Sequence, residues 1–429
     1  MAQSSSTVVG SGSASAGTAS ASRPGFSLRT FDSLQDRNFR WFFLALLGHM
    51  GAMNMQMLVR GWLTYDLTGS YAKLGVVALA QAMPMLGLSV FGGVLADRFP
   101  KRRIVQTGQF VSAINATVVA VMLFSDVLVF WHLIVASVAQ GIVMALMMPS
   151  RQAMIPEVVG MDRMMNAVAL NSAGMNMMRL LAPGIGGVLI GVFGAGIVYS
   201  IMASLYMSCV LFLFKVPSTP AAAPLNGAPR KGGFADLVAG LKYIRTDRVM
   251  AVLLAMNFIT SMLAMPYLML LPGYVEDVYN LGPEFLGLMI TVSGGGALVG
   301  ALVIASLPPA RRGLLLMASA ILIGLALTAF ASTDMYVLGL VMMVFVGLGT
   351  AGRQALGQVL IHNYVENEYR GRVMSVYMTQ FSVMSLGVFV IGLISEQFGV
   401  QAVFAALGLL LVAVTTLLLF TMPRLRRLD

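Results

Sequence analysis

Apolar runs long enough to cross a lipid bilayer recur along almost the whole chain and limit its fold more than any other feature. A helix needs about 20 consecutive apolar residues to span a bilayer. In lipid each run must satisfy its own backbone hydrogen bonds, so we predict an all-α membrane protein with twelve transmembrane helices. The runs lie near 40–64, 74–96, 104–125, 129–150, 166–192, 196–215, 249–273, 284–306, 313–332, 335–360, 372–395 and 399–421.

The composition agrees with many membrane spans and not with a soluble core. Of the 429 residues, 58% are hydrophobic and 10% are charged, whereas soluble domains carry about 25% charged residues. The net charge of +10 requires no nucleic acid partner, because basic residues of membrane proteins collect in cytoplasmic loops. The single Cys209 lies in an apolar run, so we predict no disulfide framework and no thiol metal cluster. We also expect no metal site and no cofactor.

The basic residues predict the orientation of the chain in the membrane. All but four of the 27 Lys and Arg residues fall in segments that are cytoplasmic if the N-terminus lies inside. The exceptions are Lys73 in an outer link and Arg60, Arg179 and Arg353 within spans. By the positive-inside rule, both termini are expected in the cytoplasm.

A polar central segment divides the chain into two halves of similar pattern. The stretch "IPEVVGMDRMMNAVAL" in the first half resembles "IHNYVENEYRGRVMSV" in the second. Such repeats are typical of two bundles that rock against each other. The predicted parts are a disordered cytoplasmic tail at 1–35, a six-helix bundle at 36–216, a cytoplasmic linker with an amphipathic helix at 217–248, a second six-helix bundle at 249–422 and a basic cytoplasmic tail at 423–429.

The stretch "GGVLADRFPKRR" at 92–103 places an unusual density of charge in a short link between two spans. Gly92 and Gly93 would allow a neighbouring helix to approach closely. Asp97 at the membrane edge can pair with Arg98 or with the positive start of a facing helix. A pair that forms in one conformation and breaks in another is a gate, although a plain positive-inside loop is the alternative. The predicted gating residues are Gly93, Asp97, Arg98, Lys101 and Arg102.

The same stretch resembles the motif G-x-L-a-D-r-x-G-r-[rk], which lies between helices 2 and 3 of the major facilitator superfamily. Pro100 stands where the motif has glycine, and the corresponding "SLPPARRG" of the second half lacks the aspartate. The resemblance implies the major facilitator fold, in which two six-helix bundles provide alternating access to a central cavity.

Further stretches resemble a bacterial efflux branch that includes the drug:proton antiporter-3 group, macrolide-efflux proteins and enterobactin-exporter-like carriers. They are "RGWLTYDLTGS", "SRQAMIPEVVGMDRMMNAVALNS" and "RGRVMSVY", the last containing Arg370, Gly371 and Arg372 as a second cytoplasmic motif. The resemblance covers nearly the whole chain after residue 35. It implies a multi-pass protein of the bacterial inner membrane.

The stretch "APGIGG" at 182–187 resembles the fifth-helix motif of antiporters, [G/A]-P-x-x-G-G. The resemblance implies that Pro183 kinks the helix and that Gly186 and Gly187 pack tightly, in an arrangement that favours export. Ordinary glycine-rich packing is the alternative. Ser137 occupies the place where the family often has an arginine linked to proton coupling, and this departure weakens the implied coupling.

Polar residues at helical spacing predict a substrate cavity inside the bundle. His49, Met53, Gln56 and Arg60 lie within about 60° of one another on a helix. Their face should meet the interior, since an arginine facing lipid is costly. The resemblance implies that helices 1, 4, 7 and 10 line the cavity, with helix 5 close by. The further predicted cavity residues are Gln140, Asn171, Met175, Arg179, Asn257 and Ser261.

No Asp or Glu falls in the middle of a span, so the cavity is expected to be positive or neutral. Such a cavity favours an anionic, zwitterionic or neutral substrate over a hard cation. Alternatively, Arg179 and Arg353 hold helices together through backbone carbonyls, and His49 is structural and not a proton carrier. The 34 methionines suit a pocket that accepts several apolar shapes, or they replace leucine at lipid-facing positions.

The pattern as a whole predicts a secondary active exporter of small amphipathic molecules, such as drugs, siderophores or metabolites, that works by proton antiport. An importer or facilitator of a small solute is the alternative within transport. A membrane enzyme or sensor is disfavoured, because the chain has no H-E-x-x-H, G-x-S-x-G or Walker A motif. The expected partners are a small-molecule substrate, a proton or other coupling ion and the lipid bilayer. The expected oligomeric state is a monomer.

Overall fold

The computed structural model describes residues 33–159, 164–217, 242–245, 248–308, 310–366, 369–422 and 426. Almost all of them are helical, and the described ranges contain no strand. The helices are α1 Arg37–Asp66, α2 Tyr71–Arg98, α3 Lys101–Phe124, α4 Phe130–Val159, α5 Met164–Phe214, α6 Arg248–Ala264, α7 Pro266–Asp277, α8 Pro283–Ser306, α9 Arg312–Ala331, α10 Tyr336–Tyr364, α11 Arg370–Phe398 and α12 Val400–Thr421. The predicted all-α membrane architecture is confirmed.

Ten helical segments of the described chain are long and apolar enough to cross a membrane. One of them, α5, has 51 residues and bends at Gly194, so it crosses twice. Helices α6 and α7 together form one crossing, Met250–Asp277, and α11 contains the shorter apolar helix Val383–Phe398. Counted in this way, the described residues supply the twelve crossings that the apolar runs predict.

Specific residues begin, bend or interrupt the helices. The Asp36 carboxylate caps α1 by accepting hydrogen bonds from the backbone N–H groups of Asn38 and Phe39, at 2.7 and 3.2 Å. Gly194 has φ +80° and ψ 163°, a conformation that glycine tolerates best. The break between α6 and α7 falls at Met265, directly before Pro266, which has no N–H to continue the helical ladder.

Small residues allow the same kind of helix contact in each half. A side chain at Gly92 or Gly141 would collide with the backbone between α2 and α4. A side chain at Gly296 or Gly347 would collide in the same way between α8 and α10. Without a hydrophobic driving force between helices in lipid, such close backbone approach is a main source of association.

The two halves, α1–α5 and α6–α12, share an apolar core at one end only. The shared core takes in Trp62 and Tyr71 from the first half and Tyr274, Phe330 and Phe404 from the second. The other apolar clusters of the described residues each draw on one half alone. We call the end where α1 and α7 finish the closed end, and the end where α2 and α8 finish the open end.

The predicted domain boundaries stay predictions. The tail at 1–35 lies outside the described residues except for its last three, and the basic tail at 423–429 lies outside them except for Arg426. Most of the linker at 217–248 also lies outside them, although 242–245 are helical.

Candidate functional site

A cavity of about 550 Å³ lies between the two halves. Helices from both halves contribute to its wall, and the wall contains neither Asp nor Glu. Seven methionines dominate the apolar part, namely Met50, Met53, Met57, Met175, Met265, Met269 and Met384. The polar part consists of Asn54, Asn176, Arg179, Ser261, Arg353, Gln354, Tyr377 and Gln380. The arrangement provides flexible apolar contacts together with amides and positive charge.

Two tyrosines of the first half are bonded to one carboxylate of the second at the closed end. The Tyr65 hydroxyl donates to Asp277 Oδ2 at 2.5 Å, and the Tyr71 hydroxyl donates to the same oxygen at 2.9 Å. The two rings lie 4.9 Å apart, centroid to centroid. Hydrogen bonds to an ionised carboxylate are stronger than neutral ones, so Asp277 holds α7 against α1 and α2.

A second carboxylate joins the halves at the same end. Glu396 of α11 accepts a hydrogen bond from the Ser70 hydroxyl, and Glu396 Oε1 accepts another from the Ala72 N–H at 3.2 Å. Both donors lie at the start of α2. The closed end is therefore held by two acidic side chains of the second half and by uncharged donors of the first.

Close backbone contacts complete the closed end. A Cβ added at Gly187 of α5 would lie 2.8 Å from the Cα of Gly287 in α8. A Cβ added at Gly392 of α11 would lie 2.5 Å from the Tyr71 carbonyl oxygen. These approaches bring the backbones of the two halves into direct contact at this end.

The predicted gating residues lie at the open end, and no latch across the halves is formed there among the described residues. Asp97 and Arg98 are exposed, and the Asp97 carboxylate has no partner in the described part of the chain. Lys101 forms an ion pair with Glu157 of α4, and Arg102 Nη1 donates to the Val216 carbonyl at 2.6 Å. Both contacts stay within the first half.

The expected close approach occurs at only one of the two glycines of this motif. Gly92 faces the backbone of Ala145, whereas nothing lies within 4 Å of a Cβ added at Gly93. The second-half motif of Arg370, Gly371 and Arg372 begins α11, and the side chains of Arg370 and Arg372 lie outside the described part.

Four of the predicted cavity residues line the observed cavity, namely Met53, Met175, Arg179 and Ser261. His49, Gln56 and Arg60 do not, although the helical spacing places them on one buried face of α1 as expected. That face packs inside the first half. Periodicity shows which residues share a face, but it does not distinguish a bundle interior from a cavity between bundles.

The polar groups on this face have partners within the first half. Gln109 Nε2 of α3 donates to His49 Nδ1 at 2.8 Å. The Tyr206 hydroxyl of α5 donates to Gln56 Oε1 at 3.2 Å, and Arg60 donates to Gln81 Oε1 of α2.

Three further predicted cavity residues are buried away from the cavity wall. Gln140 is 1% exposed, and none of the described residues bonds to its amide. Asn171 Nδ2 donates to the sulfur of Met175 at 3.8 Å, and Asn257 Nδ2 donates to the Leu253 carbonyl at 3.0 Å.

The antiporter-like motif lies where α5 meets both the cavity and α8. Pro183 lines the cavity, and the helix continues through it, since the non-helical backbone angles inside α5 occur at Gly194. The bend at Gly194 joins two successive spans, and the kink at Pro183 stays a prediction. Gly186 faces Met55, with a Cβ to Cγ distance of 3.3 Å for an added Cβ, and Gly187 faces Gly287 of the other half.

Sequence reasoning did not assign the more buried of the two arginines in the cavity wall to the cavity. Arg353 of α10 is 5% exposed. Its Nη1 donates to Ser261 Oγ at 3.1 Å, and the Ser261 hydroxyl donates to Gln380 Oε1 at 3.0 Å. The signal was present, because an arginine inside a span is expensive unless it faces protein or water. The described residues contain no group of three His, Cys, Asp or Glu side chains that could hold a metal ion.

Known proteins with similar sequences are transporters. The staphyloferrin A transporter of Staphylococcus aureus is 25% identical over 85% of this chain and 91% of its own length. The multidrug efflux pump Tap of Mycolicibacterium fortuitum is 26% identical over 86% of this chain and 91% of its own length. The enterobactin exporter EntS of Shigella boydii is 24% identical over 90% of this chain and 89% of its own length.

Solved structures share the fold at low sequence identity. A variant of the nucleoside transporter NupG superposes with a TM-score of 0.73 at 15% identity, covering 89% of this chain and 99% of that one. A bacterial homologue of the human lysosomal transporter Spinster, in an inward-facing and occupied conformation, gives 0.70 at 14% identity, with coverages of 92% and 99%. These likenesses confirm the predicted transporter fold.

The family model described as transmembrane secretion effector matches residues 28–429. Together with the efflux and export relatives, the match confirms the resemblance stated from the motifs. The chain therefore belongs to the transmembrane secretion effector family of the major facilitator superfamily.

Proposed function

We propose that this transporter exports small amphipathic molecules from the cytoplasm across the bacterial inner membrane, by alternating access and in exchange for protons. The observation that carries the proposal is the methionine-rich cavity between the halves, which is sealed at one end and has no acidic side chain in its wall. The excess of basic residues at the open end supports an orientation in which that end faces the cytoplasm.

The wall of the cavity supports a substrate with apolar parts and without a hard positive charge. Methionine side chains are flexible and polarizable, so they adapt to several apolar shapes. Arg179 and Arg353 add positive charge with no acid beside them in the wall. The relatives named for staphyloferrin A, enterobactin and multidrug efflux support a drug, siderophore or metabolite as the substrate class.

The closed end supports a mechanism in which the halves rock around the cavity. Asp277 and Glu396 must release their donors before the cavity can open to the other side. When the open end closes in turn, Asp97 is brought towards the second half, where the positive start of a helix can hold it. The described conformation is then the one that receives substrate from the cytoplasm.

The same carboxylates support coupling to protons. A protonated carboxyl is a weaker acceptor than a carboxylate, so a proton on Asp277 would weaken its bonds to Tyr65 and Tyr71. Glu276 and Asp66 add further acidic side chains beside Asp277 at the closed end. Protons from the outer side would thus promote opening of the closed end, and substrate would leave as they enter.

Transport into inside-out membrane vesicles tests the proposal. With a panel of labelled amphipathic compounds and an imposed pH gradient, at least one compound should accumulate, and a protonophore should abolish the accumulation. The matched variant Asp277→Asn should retain the protein in the membrane and uncouple transport from the gradient. Accumulation in right-side-out vesicles instead would show that the protein is an importer.

A further inference from the structure

A buried arginine in the cavity wall has only uncharged partners among the described residues. We infer that Arg353, together with Ser261 and Gln380, forms a subsite that binds a single carboxylate of the transported molecule. The inference rests on the proposed function, since it names the charged group of the molecule that the cavity accepts.

The burial of Arg353 makes its charge costly unless an anion compensates it. The side chain is 5% exposed, and a guanidinium stays charged in proteins. Removing such a charge from water without a counter-ion is unfavourable by a large margin. The described residues place no Asp or Glu within ion-pair distance of Arg353, and the cavity wall contains neither.

The hydrogen bonds of Arg353 leave part of its donor fork free. Nη1 donates to Ser261 Oγ at 3.1 Å, and the Ser261 hydroxyl donates in turn to Gln380 Oε1 at 3.0 Å. Nε is buried and has no partner in the described part of the chain. A guanidinium has five N–H donors, and a carboxylate accepts two of them side by side. The free donors therefore match a carboxylate that enters from the cavity.

The other arginines inside the spans do not combine burial with a place in the cavity wall. Arg179 lines the cavity but is exposed, so water can solvate its charge. Arg60 is 8% exposed, but it donates to Gln81 and lies outside the cavity wall. Of these three arginines, Arg353 is thus the one that most needs a negative charge from the substrate.

The charge of the subsite selects a monoanion. One buried cation with a neutral hydroxyl and a neutral amide beside it compensates one negative charge. A phosphate monoester carries about −1.5 to −2 at neutral pH and would leave charge uncompensated in the same place. The subsite is therefore assigned to a carboxylate, and the methionines around it receive the apolar remainder.

The test compares two probes that share their rings and differ in charge. Binding of 2-naphthoate and of neutral 2-naphthamide to the purified full-length protein in detergent is measured by calorimetry. The wild type should bind 2-naphthoate at least about tenfold more tightly, as charge-assisted hydrogen bonds allow. Arg353→Gln should abolish this preference and leave 2-naphthamide binding unchanged. Arg353→Lys should keep part of it. The control Arg103→Gln, at an exposed position of α3, should bind both probes as the wild type does.

A second variant separates binding from a purely structural role of Arg353. Gln380→Glu would place a permanent carboxylate beside Ser261, so it should exclude 2-naphthoate while the melting temperature stays the same or rises. If folded Arg353→Gln or Gln380→Glu protein binds 2-naphthoate with wild-type affinity, or if the wild type shows no preference, the subsite is refuted.

The outcome is independent of the vesicle experiment. If the protein shows an Arg353-dependent preference for 2-naphthoate but transports nothing, the subsite is supported and the export proposal is refuted. If the protein transports substrate but shows no such preference, export is supported and the subsite is refuted.

Discussion

Arg60 shows how a single buried charge is stabilised inside the first half. Its guanidinium donates to Gln81 of α2, and it lies near the aromatic side chains of Tyr199 and Tyr206. These contacts join α1 to α2 and α5 without reaching the cavity. These contacts indicate that Arg60 holds helices together, whereas the sequence predicts that it binds substrate. A variant of Arg60 distinguishes the two roles.

We predict that Arg60→Ala lowers the melting temperature of the protein and leaves probe affinity nearly unchanged. Truncation would leave the half-buried Gln81 amide oxygen without its donor, at a cost of at most about 1–3 kcal/mol. Thermal stability in detergent and the affinity for 2-naphthoate check this on the same sample. A large loss of affinity at unchanged stability would show that Arg60 binds the substrate.

Residue types and spacings predicted part of the site for definable reasons. Met53, Met175, Arg179 and Ser261 line the cavity, because helix periodicity separates interior from lipid-facing positions well. The pattern does not show whether an interior residue is buried within one half or lines the cavity between the halves. The sequence alone does not place Arg353 in the cavity, since its partners Ser261 and Gln380 come from spans far apart in the sequence.

At the scale of elements, α5 shows how one residue can replace a loop. The sequence predicts two spans at 166–192 and 196–215, and the structure joins them in one helical segment that bends at Gly194. No atom of another residue lies within 4 Å of a Cβ added there, so the backbone conformation is what requires glycine. The apolar pattern gives the lengths of the spans, but not the form of so short a link.

We predict that Gly194→Ala destabilises the protein through its backbone. A residue with a side chain pays about 1–3 kcal/mol in such a sparsely populated conformation. The matched control is Gly295→Ala in α8, which also has open space around the added Cβ but lies in a regular helix. The melting temperature should fall for Gly194→Ala and stay level or rise for the control. Equal melting temperatures would contradict the role given to the bend.

At the scale of the whole molecule, the sequence predicts the fold more fully than it predicts which conformation the protein adopts. Apolar runs and basic loops predict the number of spans and their orientation, because lipid imposes both. They do not say which end of the cavity is sealed. That depends on contacts such as Tyr65 with Asp277, which join residues of different halves and leave no periodic trace.

We predict that the open end and both termini face the cytoplasm. A reporter enzyme active only in the cytoplasm should be active when fused after Asp429, and a periplasmic reporter should be active when inserted in the link after Asp277. The reason is the concentration of basic residues in the segments at the open end. A periplasmic signal from the C-terminal fusion would reverse the proposed direction of transport.

We predict that the carboxylates at the two ends stabilise opposite conformations of one equilibrium. In the described conformation Asp277 is bonded to Tyr65 and Tyr71, whereas Asp97 is exposed and unpartnered among the described residues. A bond made in only one of two conformations shifts their populations by its own free energy. Asp277→Asn should therefore favour the conformation that is closed at the Asp97 end. Asp97→Asn should favour the described one.

Spin labels on Phe99→Cys and Leu307→Cys, which are exposed at the open end of the two halves, would report the separation directly. Cys209 is buried and should stay unlabelled. Asp277→Asn should increase the population with a short distance between labels, and Asp97→Asn should decrease it. Either variant alone should slow transport, because both conformations must be visited in each cycle. Combining them should bring the distance distribution back towards that of the wild type, since the two shifts have opposite sign. Identical distance distributions in both single variants would show that these carboxylates do not control the exchange between conformations.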